Sequence, residues 1–368
     1  MTSVNGHPPA LSIRHLSLEL PGPDGPLYPV RDVSLSVAPG ELHAIVGESG
    51  SGKSLTCRSV LRLGPPRMRV ASGSVQVEDV DVTSLSGDRL RRFRGARVGM
   101  IFQEPAAHLS PSIRAGAQIA ETLRVHDRCS HRAAKAKAHE LAERVGLTPA
   151  KRVLRRYPHE LSGGMAQRVA IASAIICGPS LLIADEPTTA LDATVQQSVL
   201  SLIDELRRDM KLGVLLVSHD LAVVERYADT VTVLYAGKVV EQASSDELFR
   251  RPRHPYTQAL LRARPQLEDL DEARVDHRRD DGHTPGTVVE PLVIPGAPPT
   301  LRDIPSGCPF HPRCPAAVDL CRAVEPQLLR FSSSAYAACH VAADRAGLSP
   351  DDSSKTDPRA QSPPEVRE

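Results

Sequence analysis

The stretch GESGSGKS, Gly47 to Ser54, constrains this chain more than any other, because it matches G-x-x-x-x-G-K-[ST] and sits between the apolar run His43 to Val46 and a helical stretch. A strand that feeds a helix through such a loop must turn sharply, and Gly47, Gly50 and Gly52 leave the backbone free to curl. The N-H groups of the loop are then expected to point inward at a β-phosphate, with Glu48, Ser49 and Ser51 among the expected nucleotide-binding residues. Lys53 reaches the β and γ oxygens, and the Ser54 hydroxyl can ligate Mg²⁺. The stretch therefore predicts a nucleotide site at the end of a strand.

A second anchor is LLIADEP, residues 181 to 187, a buried-strand pattern that ends in Asp185 and Glu186. Ligands of open α/β sheets bind beyond the carboxyl ends of the strands, so both acids are expected beside the phosphates. Asp185 suits Mg²⁺, directly or through water, and Glu186 suits a general base that polarises the attacking water. Gln103 ends RVGMIFQ and His219 ends GVLLVSH, which places both at the same predicted edge as completing groups of a γ-phosphate site. Ser54, Gln103 and Asp185 are the expected Mg²⁺ set, and Glu186 and His219 the expected catalytic pair.

Around these anchors the pattern is α/β. Short alternating runs up to about residue 100 read as sheet, with Pro39-Gly40 as a turn. A helical section follows at about 104–165, where Ala134, Ala138, Leu141 and Val145 fall on one face and Gly146 sits at the helix end. Strands then alternate with helices, and Thr232 to Gln242 reads as a closing hairpin around Ala236-Gly237. The expected organisation is a cassette over 1–262, a charged linker over 263–291, a small Cys-rich unit over 292–345 and a disordered tail over 346–368.

Lys plus Arg (45) nearly cancels Asp plus Glu (44), so no basic field argues for nucleic acid. The N-terminus lacks a basic stretch followed by an apolar one, and the longest apolar run, Val169 to Ala184, is interrupted by Gly178-Pro179-Ser180 and is shorter than the roughly 20 residues of a spanning helix. The chain is expected to stay in the cytoplasm.

One stretch, LSGGMAQR at 161 to 168, offers a second anion site without a lysine: Ser162, Gly163 and Gly164 open a helix and expose bare N-H groups at the positive end of its dipole. With GESGSGKS, the glutamine of IFQEP, LLIADEP, Ala190 to Asp192 and His219, it stands in the order found in ATP-binding cassette (ABC) ATPases, and residues 10 to 250 resemble that family. The resemblance implies a phosphate-loop cassette with a mixed sheet and a helical subdomain. It also implies that two cassettes pair head to tail, so that Ser162 to Gly164 of one chain contact the γ-phosphate held by the lysine loop of the other. The family stacks adenine on an aromatic residue near the first strand; in LSLELPGPDGPLYPV that residue is Tyr28.

HPYTQALL at 254 to 261, IPGAPP at 294 to 299 and GCPFHPRCP at 307 to 315 resemble the C-terminal extension of dipeptide and oligopeptide importer ATPases, with nickel importers as close relatives. This resemblance implies an ATP-hydrolysing subunit on the cytoplasmic face of the membrane. Its partners would be a second ATPase, the same or homologous, two permeases and an extracytoplasmic binding protein, with Gln103 and the helical section signalling to the permeases. An importer of nickel or another small solute, or a redox-responsive soluble ABC ATPase, is the alternative.

Four of the seven cysteines, Cys308, Cys314, Cys321 and Cys339, crowd at the spacing C-x5-C-x6-C-x17-C. Four thiolates suit Zn²⁺ or an iron-sulfur cluster, with His311 and His340 as substitutes. Zinc pairs its ligands as C-x2-4-C, which is absent, while Cys308 and Cys314 precede prolines as ferredoxin-type ligands do. The resemblance implies a four-iron, four-sulfur cluster. Residues 292 to 345 hold few large apolar side chains, so the metal is expected to fold the unit, and ATP binding in the other domain is expected to be independent of it.

Overall fold

The alternation of apolar and polar residues near the N-terminus makes a two-stranded ribbon. In the computed structural model, which describes residues 8–127, 129–189, 191–263 and 294–349, β1 (Leu11–Gly22) and β2 (Gly25–Val37) run antiparallel. Leu11 and Ile13 are buried, and so are Leu16 and Leu18, one residue out of phase. The slip is absorbed at His15, which adopts φ 49° where the ladder shifts, so all four side chains return to one face. β3 (Leu42–Val46) leaves this ribbon for a second sheet, while β4 (Arg69–Val77) and β5 (Val80–Asp81) complete a four-stranded antiparallel sheet in the order β2-β1-β4-β5.

The second sheet carries the site. Its remaining strands are β6 (Val98–Ile101), β7 (Leu181–Asp185), β8 (Gly213–Val217), β9 (Thr230–Tyr235), β10 (Lys238–Ser244), β11 (Leu329–Arg330) and β12 (Ala335–Ala337), in the order β11-β12-β10-β9-β3-β8-β7-β6. β6, β7, β8, β3 and β9 pair in parallel, and β10 folds back antiparallel through Ala236 and Gly237, at φ 48° and 82°. Every residue of LHAIV, LLIAD and GVLLV is buried, because both faces of the sheet are covered. Ile45, Ile183 and Leu215 face a core shared with the antiparallel sheet, whereas Ala44, Leu182 and Leu216 face a core shared with helices.

α1 (Lys53–Ser59) and α2 (Gly87–Ala96) serve the first of these cores through Cys57 and Phe93. The helical section comprises α3 (Pro105–His108), α4 (Ala115–Asp127), α5 (His131–Arg144) and α6 (Ala150–Val153). On α5, Ala134, Ala138 and Leu141 form the expected buried stripe, Ser130 accepts from the Ala133 N-H at its start, and Gly146 follows its end at φ 76°. α7 (Gly163–Ile175), α8 (Ala193–Met210), α9 (Leu221–Tyr227), α10 (Ser245–Arg250) and α11 (Pro255–Arg262) complete the set used below. Among the described residues no helix is long and apolar enough to cross a membrane.

The C-terminal extension does not stand apart from the cassette. β12 pairs with β10, Glu241 opposite Ala337, and so lengthens the same sheet. Ile294, Cys308, Phe310, Cys321 and Ala335 belong to the helical-side core. The Phe310 ring lies 5.3 Å from both Tyr235 and Tyr256, ring centre to ring centre, and is 1% exposed. The shortage of large apolar residues in 292–345 thus has a physical resolution: the segment adds its few apolar groups to a core that the cassette already owns. The expected linker beyond Ala263 and the tail beyond Ser349 lie outside the described residues.

Candidate functional site

The phosphate loop leaves β3 at Gly47 and enters α1 at Lys53. Gly47 is at φ 146°, and a Cβ there would lie 2.2 Å from the Leu234 carbonyl oxygen. Gly52 is at φ 100°, with a Cβ position 2.6 Å from the Pro29 carbonyl oxygen. Each position therefore excludes a side chain twice, by conformation and by space. Gly50 is at φ 80°.

Lys53 is 7% exposed, and its ammonium donates to the carbonyls of Gly47 at 2.7 Å and Glu48 at 2.8 Å. Burial pushes its pKa below the ordinary lysine value, while Glu186 and Asp185 act to hold it up. The lysine and the two acids at the end of β7 thus share one small region. Ser54 Oγ donates to Asp185 Oδ1 at 2.8 Å, and Arg58 Nε donates to Asp185 Oδ2 at 3.1 Å. A hydroxyl and a carboxylate held together at a helix start are hard oxygen donors of the kind Mg²⁺ prefers, so these residues fit that ion.

Glu186 turns out of β7 at φ 49°, anchored by its N-H to the Val217 carbonyl. Its Oε2 accepts from Thr189 Oγ1 at 3.2 Å and from Gln103 Nε2 at 3.3 Å, and lies 3.6 Å from His219 Nδ1. Four elements, β6, β7, β8 and the turn before α8, therefore meet at one carboxylate. Thr189 and Arg58 were not singled out from sequence, although Arg58 stands one helical turn after Ser54 and Thr189 three residues after Glu186.

Ser162 caps α7, its Oγ accepting from the Met165 N-H at 3.3 Å, and Ser162 and Gly163 are exposed. A Cβ on Gly164 would come within 2.9 Å of the Val195 side chain in α8, so any larger residue there would have to displace Val195. No hydrogen bond among the described residues joins this segment to the phosphate loop of its own chain. Tyr28, 38% exposed, precedes Pro29, the residue whose carbonyl crowds Gly52, and so borders the loop.

Two loop residues are engaged within the chain. Ser51 is buried, and the Ser51 N-H donates to the Glu48 carbonyl. The Glu48 N-H donates to Tyr256 Oη at 2.8 Å, and the Glu48 carboxylate is gripped by Arg313 of the extension at 2.6 and 2.9 Å. Ser49 is an intervening residue of the same turn. The HPYT stretch explains how Tyr256 arrives: His254 Nδ1 caps α11 by accepting from the Tyr256 N-H at 3.0 Å, and Glu241 accepts from the N-H groups of Arg253 and His254. Burial pushes the His254 pKa down to about 3, which keeps its ring neutral and able to accept.

In the extension, Cys308, Cys321 and Cys339 are buried and Cys314 is half-buried. Burial pushes the Cys308 thiol up to about 12, assisted by the nearby Cys321, Cys339 and Cys314, and it also raises Cys314 and Cys339. Backbone N-H groups of Phe310, Ala316 and Ala342 oppose these shifts at Cys308, Cys314 and Cys339. The Ala342 N-H donates to Cys339 Sγ at 3.4 Å, a contact that suits a thiolate ligand. Among the described residues, however, no group of three or more His, Cys, Asp or Glu is gathered as a single metal ion requires. His311 and His340 each turn a ring nitrogen to a backbone carbonyl, of Cys308 and Val324 respectively.

Comparison with known proteins agrees with this geometry. Residues 30–189 match the family model described as ABC transporter, and residues 240–321 match that of the oligopeptide/dipeptide transporter, C-terminal region. The chain is 47% identical over 305 residues to a putative peptide import ATP-binding protein of Brucella melitensis, covering 81% of this chain and 87% of that one. It is 40% identical over 337 residues to the dipeptide transport ATP-binding protein DppD of Haemophilus influenzae, covering 92% and 97%. Among solved structures, a dimeric post-hydrolysis state of the ATP-binding cassette MJ0796 bound to ADP and Pi aligns with TM-score 0.57 at 27% identity, over 64% of this chain and 98% of that one.

Proposed function

The chain belongs to the ABC transporter family and is an ATPase of that family, and we propose that it powers the uptake of dipeptides or oligopeptides as the ATP-hydrolysing subunit of an importer. The observation that carries the reading is the convergence of Lys53, Ser54, Gln103, Asp185, Glu186 and His219 at one sheet edge, in a chain whose C-terminal region is of the peptide-transporter type.

In this reading the loop glycines and Lys53 hold the phosphates of ATP, and Ser54, Asp185 and Gln103 hold Mg²⁺, which supplies charge neutralisation at the phosphates. Glu186 takes a proton from the attacking water, positioned by Thr189, Gln103 and His219. Tyr28 covers the adenine. Ser162, Gly163 and Gly164 serve the nucleotide of a second ATPase, a pairing supported by the dimeric cassette among the similar structures. Two permeases and an extracytoplasmic binding protein complete the assembly, and the chain docks on the cytoplasmic face of the membrane. Purification of the tagged chain from native membranes, with mass spectrometry of what accompanies it, tests this. Two integral membrane proteins and an ATPase are expected, and a chain recovered with no membrane protein overturns the importer reading.

We further propose that Cys308, Cys314, Cys321 and Cys339 ligate a four-iron, four-sulfur cluster. Support comes from their spacing, the burial of three of them and the Ala342 N-H that donates to Cys339 Sγ at 3.4 Å. Anaerobic purification is expected to give iron and acid-labile sulfide in equal amounts, about four of each per chain. Zinc without sulfide would replace the cluster by a zinc site, and the absence of both metals would remove the site.

A further inference from the structure

The Arg313 guanidinium meets the Glu48 carboxylate with two parallel bonds, Nη1 to Oε2 at 2.6 Å and Nη2 to Oε1 at 2.9 Å. The residues are 265 apart in sequence, one in the Cys-rich motif and the other the second residue of the phosphate loop. Their side chains are 6% and 21% exposed, so this is a bidentate pair shielded from water and salt rather than a surface contact. The remaining Arg313 donors are also engaged: Nε with the Pro295 carbonyl at 2.8 Å, Nη2 with that of Ile294 at 3.3 Å and Nη1 with Tyr235 Oη at 3.3 Å. The guanidinium therefore has one position, set by the start of the extension on one side and by the turn leading into Cys314 on the other. Glu48 is held from its backbone as well, through Tyr256 Oη at 2.8 Å.

We infer that Arg313 is a positioning residue for ATP binding: through Glu48 it fixes the start of the phosphate loop, so the Cys-rich extension sets the affinity of the nucleotide site. The loop binds by backbone N-H groups, and these bind well only if their directions are fixed before the ligand arrives. Freed from Arg313, Glu48 can swing toward solvent, and the Gly47 and Glu48 carbonyls that hold Lys53 move with it. A loose cradle weakens ground state and transition state alike, so KM for ATP rises while kcat at saturation is kept. The extension, placed by the sequence far from the nucleotide, thereby becomes part of its site.

This inference rests on the phosphate loop binding ATP, and the test separates the two. MgATP binding and steady-state hydrolysis are measured on the full chain and on Arg313→Met, Glu48→Gln, their combination and Lys53→Ala. Arg313→Met and Glu48→Gln are each expected to weaken MgATP binding and raise KM by roughly 5- to 20-fold, with kcat within about twofold of the unmodified chain. The combination is expected to be no worse than the weaker single variant, because both remove one interaction. Additive losses, KM within twofold of the unmodified chain, or a fall in kcat matching a smaller folded fraction at unchanged KM would each overturn the brace. If Arg313→Met does not fold, Glu48→Gln alone decides by the same criterion. An unmodified chain that does not bind MgATP, or a Lys53→Ala chain that binds it equally well, would instead overturn the nucleotide reading.

Discussion

Glu186→Gln is expected to bind MgATP as the unmodified chain does and to hydrolyse it about 10² to 10⁴ times more slowly, a barrier increase of roughly 3 to 5 kcal/mol. The substitution keeps the size of the side chain and one carbonyl oxygen, so Thr189 Oγ1 and Gln103 Nε2 can still donate to position 186. It removes the ability to accept a proton from water. Lys53, Ser54 and Asp185 are left untouched, and the Ser54 to Asp185 bond at 2.8 Å does not involve Glu186, so the phosphate and Mg²⁺ contacts should survive. A chain that binds but does not turn over should hold its partner in the closed state, seen as an ATP-dependent dimer in size-exclusion chromatography with light scattering. Turnover within a factor of two of the unmodified protein in the reconstituted transporter would remove Glu186 from the role of base.

How much of this site was legible beforehand depends on how far apart its parts lie. Lys53 and Ser54 are read from one octapeptide, and Asp185 and Glu186 from one strand end. Gln103 and His219 follow from the rule that parallel strands deliver their carboxyl ends to one edge, which the pairing of β6, β7 and β8 bears out. The contacts of Arg313 and Tyr256 with Glu48 leave no such trace. An ion pair has no period and no spacing rule, so nothing in the sequence joins residue 313 to residue 48. The reach of the extension to the phosphate loop is hidden for the same reason: composition shows that 292–345 lacks a core, but not whose core it borrows. Phe310 borrows that of Tyr235 and Tyr256, and the route that brings it there also brings Arg313 to the loop.

The two anion sites proposed for the chain lead to a second large effect. Within one chain the Ser162 segment caps α7 and is exposed, and the phosphate loop lies at the end of β3. Exposed helix N-H groups without a cation of their own suit a phosphate presented by something else, and a two-fold pair of chains presents two such phosphates symmetrically. Lys53→Ala removes the cation from the loop, and Ser162→Arg puts a long side chain across the signature; alone, each is expected to be inactive, since in a uniform pair both composite sites are damaged. Mixed, they pair so that the intact loop of the Ser162→Arg chain meets the intact Ser162 to Gly164 of the Lys53→Ala chain, while the other site carries both lesions. An equal mixture with random pairing and independent sites should then recover about a quarter of the unmodified rate. The measurement is hydrolysis against mixing ratio, with differently tagged chains to count mixed pairs: activity should peak at equal proportions. If mixed pairs form and hydrolysis stays at the level of the single variants across all ratios, Ser162 to Gly164 do not act on the neighbour's nucleotide.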